Sequence, residues 1–198
     1  MSVPTLNTAE IERSRVEQAA AALGPDPGRH RTELVLRKPR VEDGAQLWRI
    51  AKNSEVLDVN SSYAYLLWCR DFAETTVVAE MQGRVVGFVI GYLRPQAPDT
   101  VFVWQVAVDR AQRGQGAGAQ LLHALLNTVA PQGVTTLETT ISPDNAASIA
   151  LFGSVARQRG ARMTKRPLFD TGVFPDSHES EDLYLIAPIA RTTQEDHR

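Results

Sequence analysis

The sequence predicts one α/β domain, a mixed and mainly antiparallel sheet flanked by helices. Three observations predict it. The chain has 198 residues, 43% of them hydrophobic, which suits a single full-sized core with modest appendages. Two apolar runs, Thr75–Met81 and Val85–Leu93, flank Gln82-Gly83-Arg84, the signature of an antiparallel hairpin. From Val101 onward the pattern runs strand, helix, strand, helix, strand, which brings parallel pairing into the same sheet.

Taken in order, residues 1–32 read as an appendage. Asn7 and Glu10 have capping-box spacing and Gly24-Pro25 is a stop signal, so a short helix is expected over roughly 8–23. A turn-rich linker through Pro25, Pro27 and Gly28 follows. The domain proper is expected over 33–190, opening with a strand at Glu33–Arg37. Leu47, Trp48, Ile50 and Ala51 recur at mainly helical spacing within Val41–Lys52. Asp58-Val59-Asn60-Ser61-Ser62-Tyr63 is a polar turn whose Ser61 or Ser62 can cap a helix through Tyr65, Leu66, Leu67 and Trp68. After the hairpin, Val101–Val108 is dense in branched and aromatic residues and predicts a third strand. Leu121, Leu122, Leu125, Leu126 and Val129 mark a helix ended by Pro131 and Gly133. Val134–Ile141 is a strand, Asn145–Arg159 a helix, and Leu183–Ile189 is expected to close the sheet before a polar tail at 191–198.

Composition excludes several function classes. Twenty-one basic and 23 acidic residues leave a net charge of −2, which removes nucleic-acid binding by bulk electrostatics. Cys69 is the single cysteine, so neither an intrachain disulfide nor a cysteine-rich zinc site can form, and no metal is expected. The apolar run Ala19–Leu23 is short and preceded by Glu10, Glu12 and Glu17, unlike a signal peptide. No apolar stretch approaches the ~18 residues of a membrane span. A cytoplasmic protein is expected.

The strongest chemical motif is Arg113-Gly114-Gln115-Gly116-Ala117-Gly118, between a strand and a helix. Glycines there let backbone N–H groups approach an anion, and the helix start adds its positive dipole end, so a phosphate is the natural guest. No Lys-Ser or Lys-Thr follows, which excludes a P-loop, and the glycine spacing and preceding hairpin do not fit a dinucleotide fingerprint. Arg-x-x-Gly-x-Gly, read as Arg113, Gly116 and Gly118, resembles the acyl-CoA pyrophosphate loop of the GNAT N-acetyltransferases. The resemblance implies acetyl-CoA as co-substrate, held by Arg113, Gly114, Gly116, Ala117 and Gly118. It also implies that backbone groups of the strand at Val106 and Val108 meet the pantetheine and thioester. Asn145-Ala146-Ala147-Ser148 resembles the start of the family's later helix, which commonly carries an Asn near the cofactor; Asn145 as a plain helix cap is the alternative. Phe152 stands where many of these enzymes have a tyrosine, and it has no proton to return to a thiolate.

The resemblance narrows at Asp58–Tyr63, Gly87–Tyr92, Phe102–Val108, Thr139–Asn145 and His178-Glu179, strings similar to the L-2,4-diaminobutyrate acetyltransferases of ectoine biosynthesis. It covers roughly 34–189. What it implies is acetyl transfer to the γ-nitrogen of diaminobutyrate, and a homodimer. Such a substrate carries two ammonium groups and one carboxylate. Asp58 and Glu179 are the acids expected to hold ammonium groups, Trp104 to offer a ring face, and Tyr63 and His178 to donate to the carboxylate. Glu179, or Asp58 through water, is the candidate base. Cys69, beside Leu66, Leu67 and Trp68, reads as a buried small residue, which points to direct transfer without an acyl-cysteine. Two alternatives stay open on these residues: an acetyltransferase for another small primary amine, and a non-catalytic acyl-CoA sensor.

Overall fold

The computed structural model describes residues 33–54, 57–175 and 178–189; the helix expected over 8–23 and the polar tail lie outside them. Seven strands form one sheet: β1 Val35–Arg37, β2 Thr76–Met81, β3 Arg84–Arg94, β4 Ala97–Val108, β5 Thr136–Ile141, β6 Arg162–Phe169 and β7 Glu181–Ala187. Their order is β1-β2-β3-β4-β5-β7-β6. Every neighbouring pair is antiparallel except β4–β5, which is parallel. The hairpin turns at Gln82 and Gly83, both at positive φ (51° and 73°), the mirror-image turn that matches strand twist.

Two expectations change. Strand β6 was not anticipated, and it is the sheet edge; β7 therefore lies inside the sheet between β5 and β6 instead of closing it. Strand β4 also starts at Ala97, four residues before the expected Val101.

Among the described residues four α-helices cover the two faces: α1 Gly44–Lys52, α2 Ser62–Asp71, α3 Ala117–Val129 and α4 Ala146–Gln158. On one face α3 buries Leu121, Leu122, Leu125, Leu126 and Val129 against Val77, Ala79, Val89 and Phe152. On the other, α1 and α2 bury Leu47, Ile50, Tyr65 and Cys69 against Val78, Phe88 and Ile90. Alternate residues of β2 and β3 thus go to opposite cores, which is why both strands are continuously apolar. Leu125 is fully buried, so Leu125→Ala would cost about 2–5 kcal/mol.

One irregularity positions the site. The β3–β4 register shifts between Ile90 and Gly91, leaving Trp104 as the extra residue of a bulge. A side chain at Gly91 would come within 2.7 Å of the Phe102 carbonyl, so this bulge requires glycine.

Candidate active site

The parallel pairing of β4 with β5 spans only Thr100–Val103 and Thr136–Thr139. Beyond it β4 runs on to Val108 and β5 to Ile141 without pairing to each other. A cavity of about 370 Å³ opens where they part. Trp104 and Val106 of β4, Thr140 of β5, and Asn145 and Phe152 of α4 line it, with Asp58, His178 and Glu181 supplied by loops and by the start of β7. Apolar walls with a few converging polar groups are the usual make-up of a small-molecule site.

A hydrogen-bond chain holds the Asp58 turn. Buried Gln105 accepts from the Tyr65 hydroxyl at 3.1 Å and donates through Nε2 to the Asp58 carbonyl at 3.0 Å. Because the backbone of Asp58 is fixed from the core, its carboxylate is free to point outward; that side chain is 80% exposed. It meets His178, whose Nε2 lies 2.9 Å from Oδ2. His178 Nδ1 lies 2.7 Å from the Glu179 carbonyl, and its ring stacks on Phe174 at 4.2 Å. Acceptors flank both ring nitrogens, an arrangement that favours the doubly protonated imidazolium over the neutral ring. The Glu179 carbonyl first, and Asp58 second, push its pKa above the usual histidine range.

Glu179 and Glu181 differ sharply. Glu181 lines the cavity, half-buried; burial pushes its carboxyl above the ordinary value, partly offset by a hydrogen bond from Thr140. Glu179 is exposed, is not among the lining residues, and shares a hydrogen bond with the Asp144 carboxyl, which raises its pKa. Sequence reading chose Glu179 and passed over Glu181. The available signal was the strand beginning at Glu181, since alternation along β7 selects one acid of that cluster for the sheet.

Trp104 projects from the bulge and stacks on Trp68 at 4.9 Å. Tyr63, in the first turn of α2, is 65% exposed and is not among the lining residues. The structure therefore brings Asp58, Trp104 and His178 together and leaves Tyr63 and Glu179 outside the cavity lining. Phe152 is 2% exposed and forms part of the wall. Asn145 lines the cavity and accepts from Ser148 N at 3.0 Å as the α4 cap.

The glycine loop follows β4. Gly114 and Gly116 have φ of 77° and 81°, which other residues rarely adopt. Gly116 caps α3 without a side-chain bond, so the first-turn N–H groups at Ala117 and Gly118 have no side-chain partner. Arg113 pins the loop, donating Nε to the Val108 carbonyl at 3.0 Å and Nη2 to the Ser54 carbonyl at 3.4 Å. An unpaired strand edge ending in a bare helix start fits a long ligand with phosphates at one end.

Comparison with known proteins agrees with this geometry. The acetyltransferase (GNAT) family matches residues 43–155. An L-2,4-diaminobutyric acid acetyltransferase of Nocardia farcinica is 63% identical over 191 residues, 96% of this chain and 98% of that protein. That match takes in most of residues 1–32 as well, beyond the region the sequence motifs cover. The enzyme of the same name from Streptomyces coelicolor is 59% identical over 80% of this chain and 95% of its own. Among solved structures, the diaminobutyrate acetyltransferase of Paenibacillus lautus in complex with L-2,4-diaminobutyric acid and coenzyme A is 39% identical. It has a TM-score of 0.77 and covers 80% of this chain and 97% of that one.

Proposed function

The chain belongs to the acetyltransferase (GNAT) family and, within it, to the L-2,4-diaminobutyric acid acetyltransferases, and we propose that its cleft transfers acetyl from acetyl-CoA to the γ-amino group of L-2,4-diaminobutyrate. The product is N4-acetyl-L-2,4-diaminobutyrate, on the route to the compatible solute ectoine. The observation that carries this reading is one cavity beside β4 that gathers an acid–imidazolium pair, an aromatic wall and a half-buried carboxyl next to a phosphate loop. Acetyl-CoA supplies the activated acyl carbon as a thioester. Among the described residues no cluster of metal-ligating side chains occurs.

Each residue then has a task. Asp58 takes an ammonium by charge-assisted hydrogen bonding, and His178, its ring nitrogens directed at Asp58 and the Glu179 carbonyl, contributes positive charge toward the carboxylate. Trp104 presents its ring to an ammonium. With the α-amino and carboxylate groups held, only the γ-nitrogen reaches the thioester. An alkylammonium of pKa ~10.4 is about one part in a thousand free base at neutral pH, so the enzyme must remove a proton. Glu181 is placed and tuned for that, being inside the cavity with a raised pKa. The ammonium gives one proton to Glu181, the free amine nitrogen bonds to the acyl carbon, the carbon–sulfur bond breaks, and the departing coenzyme A thiolate takes up the second proton that nitrogen sheds. The unpaired β4 edge near Val106 offers backbone N–H to the acyl oxygen, while Arg113 and the loop Gly114–Gly118 hold the pyrophosphate. Tyr63, in the turn of α2 that follows Asp58, is retained as a substrate contact at the rim. The Cys69 thiol is 3% exposed and burial pushes its pKa up to about 12, which supports direct transfer.

The reading extends to a homodimer in the cytoplasm. Leu168, Phe169 and Val173 are exposed on β6 and the segment after it, and Phe169 also lines the cavity, so a second copy there would border the site. Light scattering of the purified protein tests this, a monomer ruling it out. The function itself is tested by incubating protein with acetyl-CoA and L-2,4-diaminobutyrate and reading the acetyl position by NMR. Acetyl on the γ-nitrogen is expected. Bound acetyl-CoA with no turnover on this amine would return the cavity to the other amines and to the sensor reading.

A further inference from the structure

Trp104 and Asp58, the two groups assigned to the substrate's ammonium ions, are both held from one face of α2. Trp104 is the bulge residue of β4, left without a partner on β3, where Gln105 pairs with Ile90 and Val103 with Gly91. A bulge interrupts the alternation that aims a strand side chain, so the direction of this indole is set by what it packs against. That partner is Trp68 of α2, stacked on it at 4.9 Å between ring centres with the planes 27° apart. Trp68 is not among the residues lining the cavity and so stands behind Trp104. It is held in turn by Phe72 at 4.4 Å and Tyr92 at 6.4 Å.

The next strand residue is gripped from the same helix. Gln105 accepts from the Tyr65 hydroxyl and passes the hold to the Asp58 carbonyl. Tyr65 and Trp68 are three residues apart, which puts them on one face of α2. Tyr65 and Cys69 seat that helix in the core, at 0% and 3% exposure, and Phe88 meets the Tyr65 ring edge-on at 6.3 Å. Helix α1 backs it closely. A Cβ on Gly44 would come within 2.8 Å of the Leu66 side chain and 3.1 Å of the Leu66 backbone nitrogen. The base from which both grips extend is therefore fixed on two sides.

We propose that Tyr65 and Trp68 are positioning residues for the amino-acid substrate, Trp68 by fixing the plane of the Trp104 ring and Tyr65 by fixing the Asp58 turn through Gln105. The inference rests on the diaminobutyrate reading above, which gives Trp104 and Asp58 their ammonium groups. A ring that tilts loses its face to the cation, because the attraction comes from the ring quadrupole. A carboxylate on a loosened turn has to be ordered again by each incoming substrate, at a cost in affinity. One helix thus holds both contacts at a set separation. Arg113 of the loop assigned to acetyl-CoA bonds elsewhere, to the Val108 and Ser54 carbonyls.

Steady-state kinetics, calorimetric binding of coenzyme A and near-ultraviolet circular dichroism of the full chain provide the test. Trp68→Leu should raise KM for diaminobutyrate about three- to tenfold, an aromatic pair's worth, with kcat within about twofold and coenzyme A affinity unchanged. Trp68→Phe keeps a stacking ring and should recover most of that loss. Tyr65→Phe keeps the buried ring and removes one hydrogen bond, so KM should again rise about three- to tenfold. Being nearly isosteric, it decides the matter even where Trp68→Leu does not fold. Two of the three tryptophans form this stack, so diaminobutyrate should change the dichroism of the wild type and of Trp48→Phe but not of Trp68→Leu. Unchanged KM in folded Trp68→Leu or in Tyr65→Phe, or coenzyme A affinity lost in step with KM, would overturn the positioning role and leave the reaction standing. A wild type that does not turn over diaminobutyrate would bring down the reading of the site, and this inference with it.

Discussion

Two clusters of charge in this molecule use the same chemical groups in opposite ways. Around Arg37, the guanidinium bridges Asp43 at 2.7 and 3.0 Å and Glu80 at 2.7 Å. Asp43 is 6% exposed; burial pushes its carboxyl up, but Arg37 and the Arg40 N–H outweigh this and hold it below the ordinary value. In the cleft, an imidazolium stands where a guanidinium might, Asp58 is open to solvent, and the Glu181 carboxyl is pushed up. A permanent cation fixes the first cluster, which ties β1 and β2 to the entry of α1. Titratable partners leave the second able to exchange protons and ligands. The lesson is that charge compensation, more than charge density, separates scaffold from site here.

The largest effect expected is at Glu181. Glu181→Gln should lower kcat by about 10²–10⁴ while leaving coenzyme A affinity intact. In the wild type, the base form is lost as pH falls through a pKa raised above 4.5, so kcat should drop on the acid side and Glu181→Gln should lose that limb. A large loss in Glu179→Gln with near-normal Glu181→Gln kinetics would reverse the assignment. Next comes the scaffold. Asp43→Asn removes one partner of a mostly buried pair and should destabilise the fold by about 3 kcal/mol, read from denaturant unfolding. Turnover of the folded enzyme should be close to normal. A changed KM with unchanged stability would mean that the Arg37 cluster is part of the site after all.

Most of this division was legible in the sequence, and the failures are physical. The hairpin, the α3 stripe and the glycine loop announce themselves because burial and backbone conformation constrain them. Strand β6 does not. Arg162-Met163-Thr164-Lys165-Arg166-Pro167-Leu168-Phe169 is exposed along nearly its whole length, so it has no apolar alternation, and its Lys, Arg and Pro are what an edge strand carries. Asp58, Trp104 and His178, which line the cavity, drew notice because family-like strings surround them. Glu181 was not singled out because its place in the cavity lining depends on the register of β7, where it opposes Phe169, and register at a strand end is invisible without its neighbours. Gln105, which ties Asp58 to the core, likewise needed the Tyr65 contact to be seen.

Intermediate effects are expected at the acid–imidazolium pair. Asp58→Asn should raise KM for diaminobutyrate by about tenfold, a charge-assisted bond's worth, with acetyl-CoA binding unaffected. Equal losses for both substrates would move Asp58 into the scaffold. The same variant should lower the pKa of His178, followed by the NMR shifts of its ring, yet leave it above 6.5 because the Glu179 carbonyl remains. In the wild type the raised value means that the His178 positive charge persists to higher pH than in an ordinary histidine and is lost as pH rises through it. An unshifted His178 in Asp58→Asn would show that the two groups do not share charge in solution.

The smallest effect should be at Cys69, and it decides to which cluster that residue belongs. Burial is the first cause of its raised pKa, and the charges that act on it next are Asp43, which raises it, and Arg37, which lowers it. Those are scaffold charges; no group of the cleft acts on this thiol. It belongs to the core that α1 and α2 form with β2 and β3, among Leu47, Ile50, Val78, Phe88 and Ile90. A nucleophile there would have to ionise against its own surroundings with no base beside it. Cys69→Ala should therefore cost about 1 kcal/mol of stability through lost packing and leave kcat within about twofold. Loss of turnover in a protein that still folds and binds acetyl-CoA would place the thiol on the reaction path, and the partition between scaffold and site would have to be drawn again.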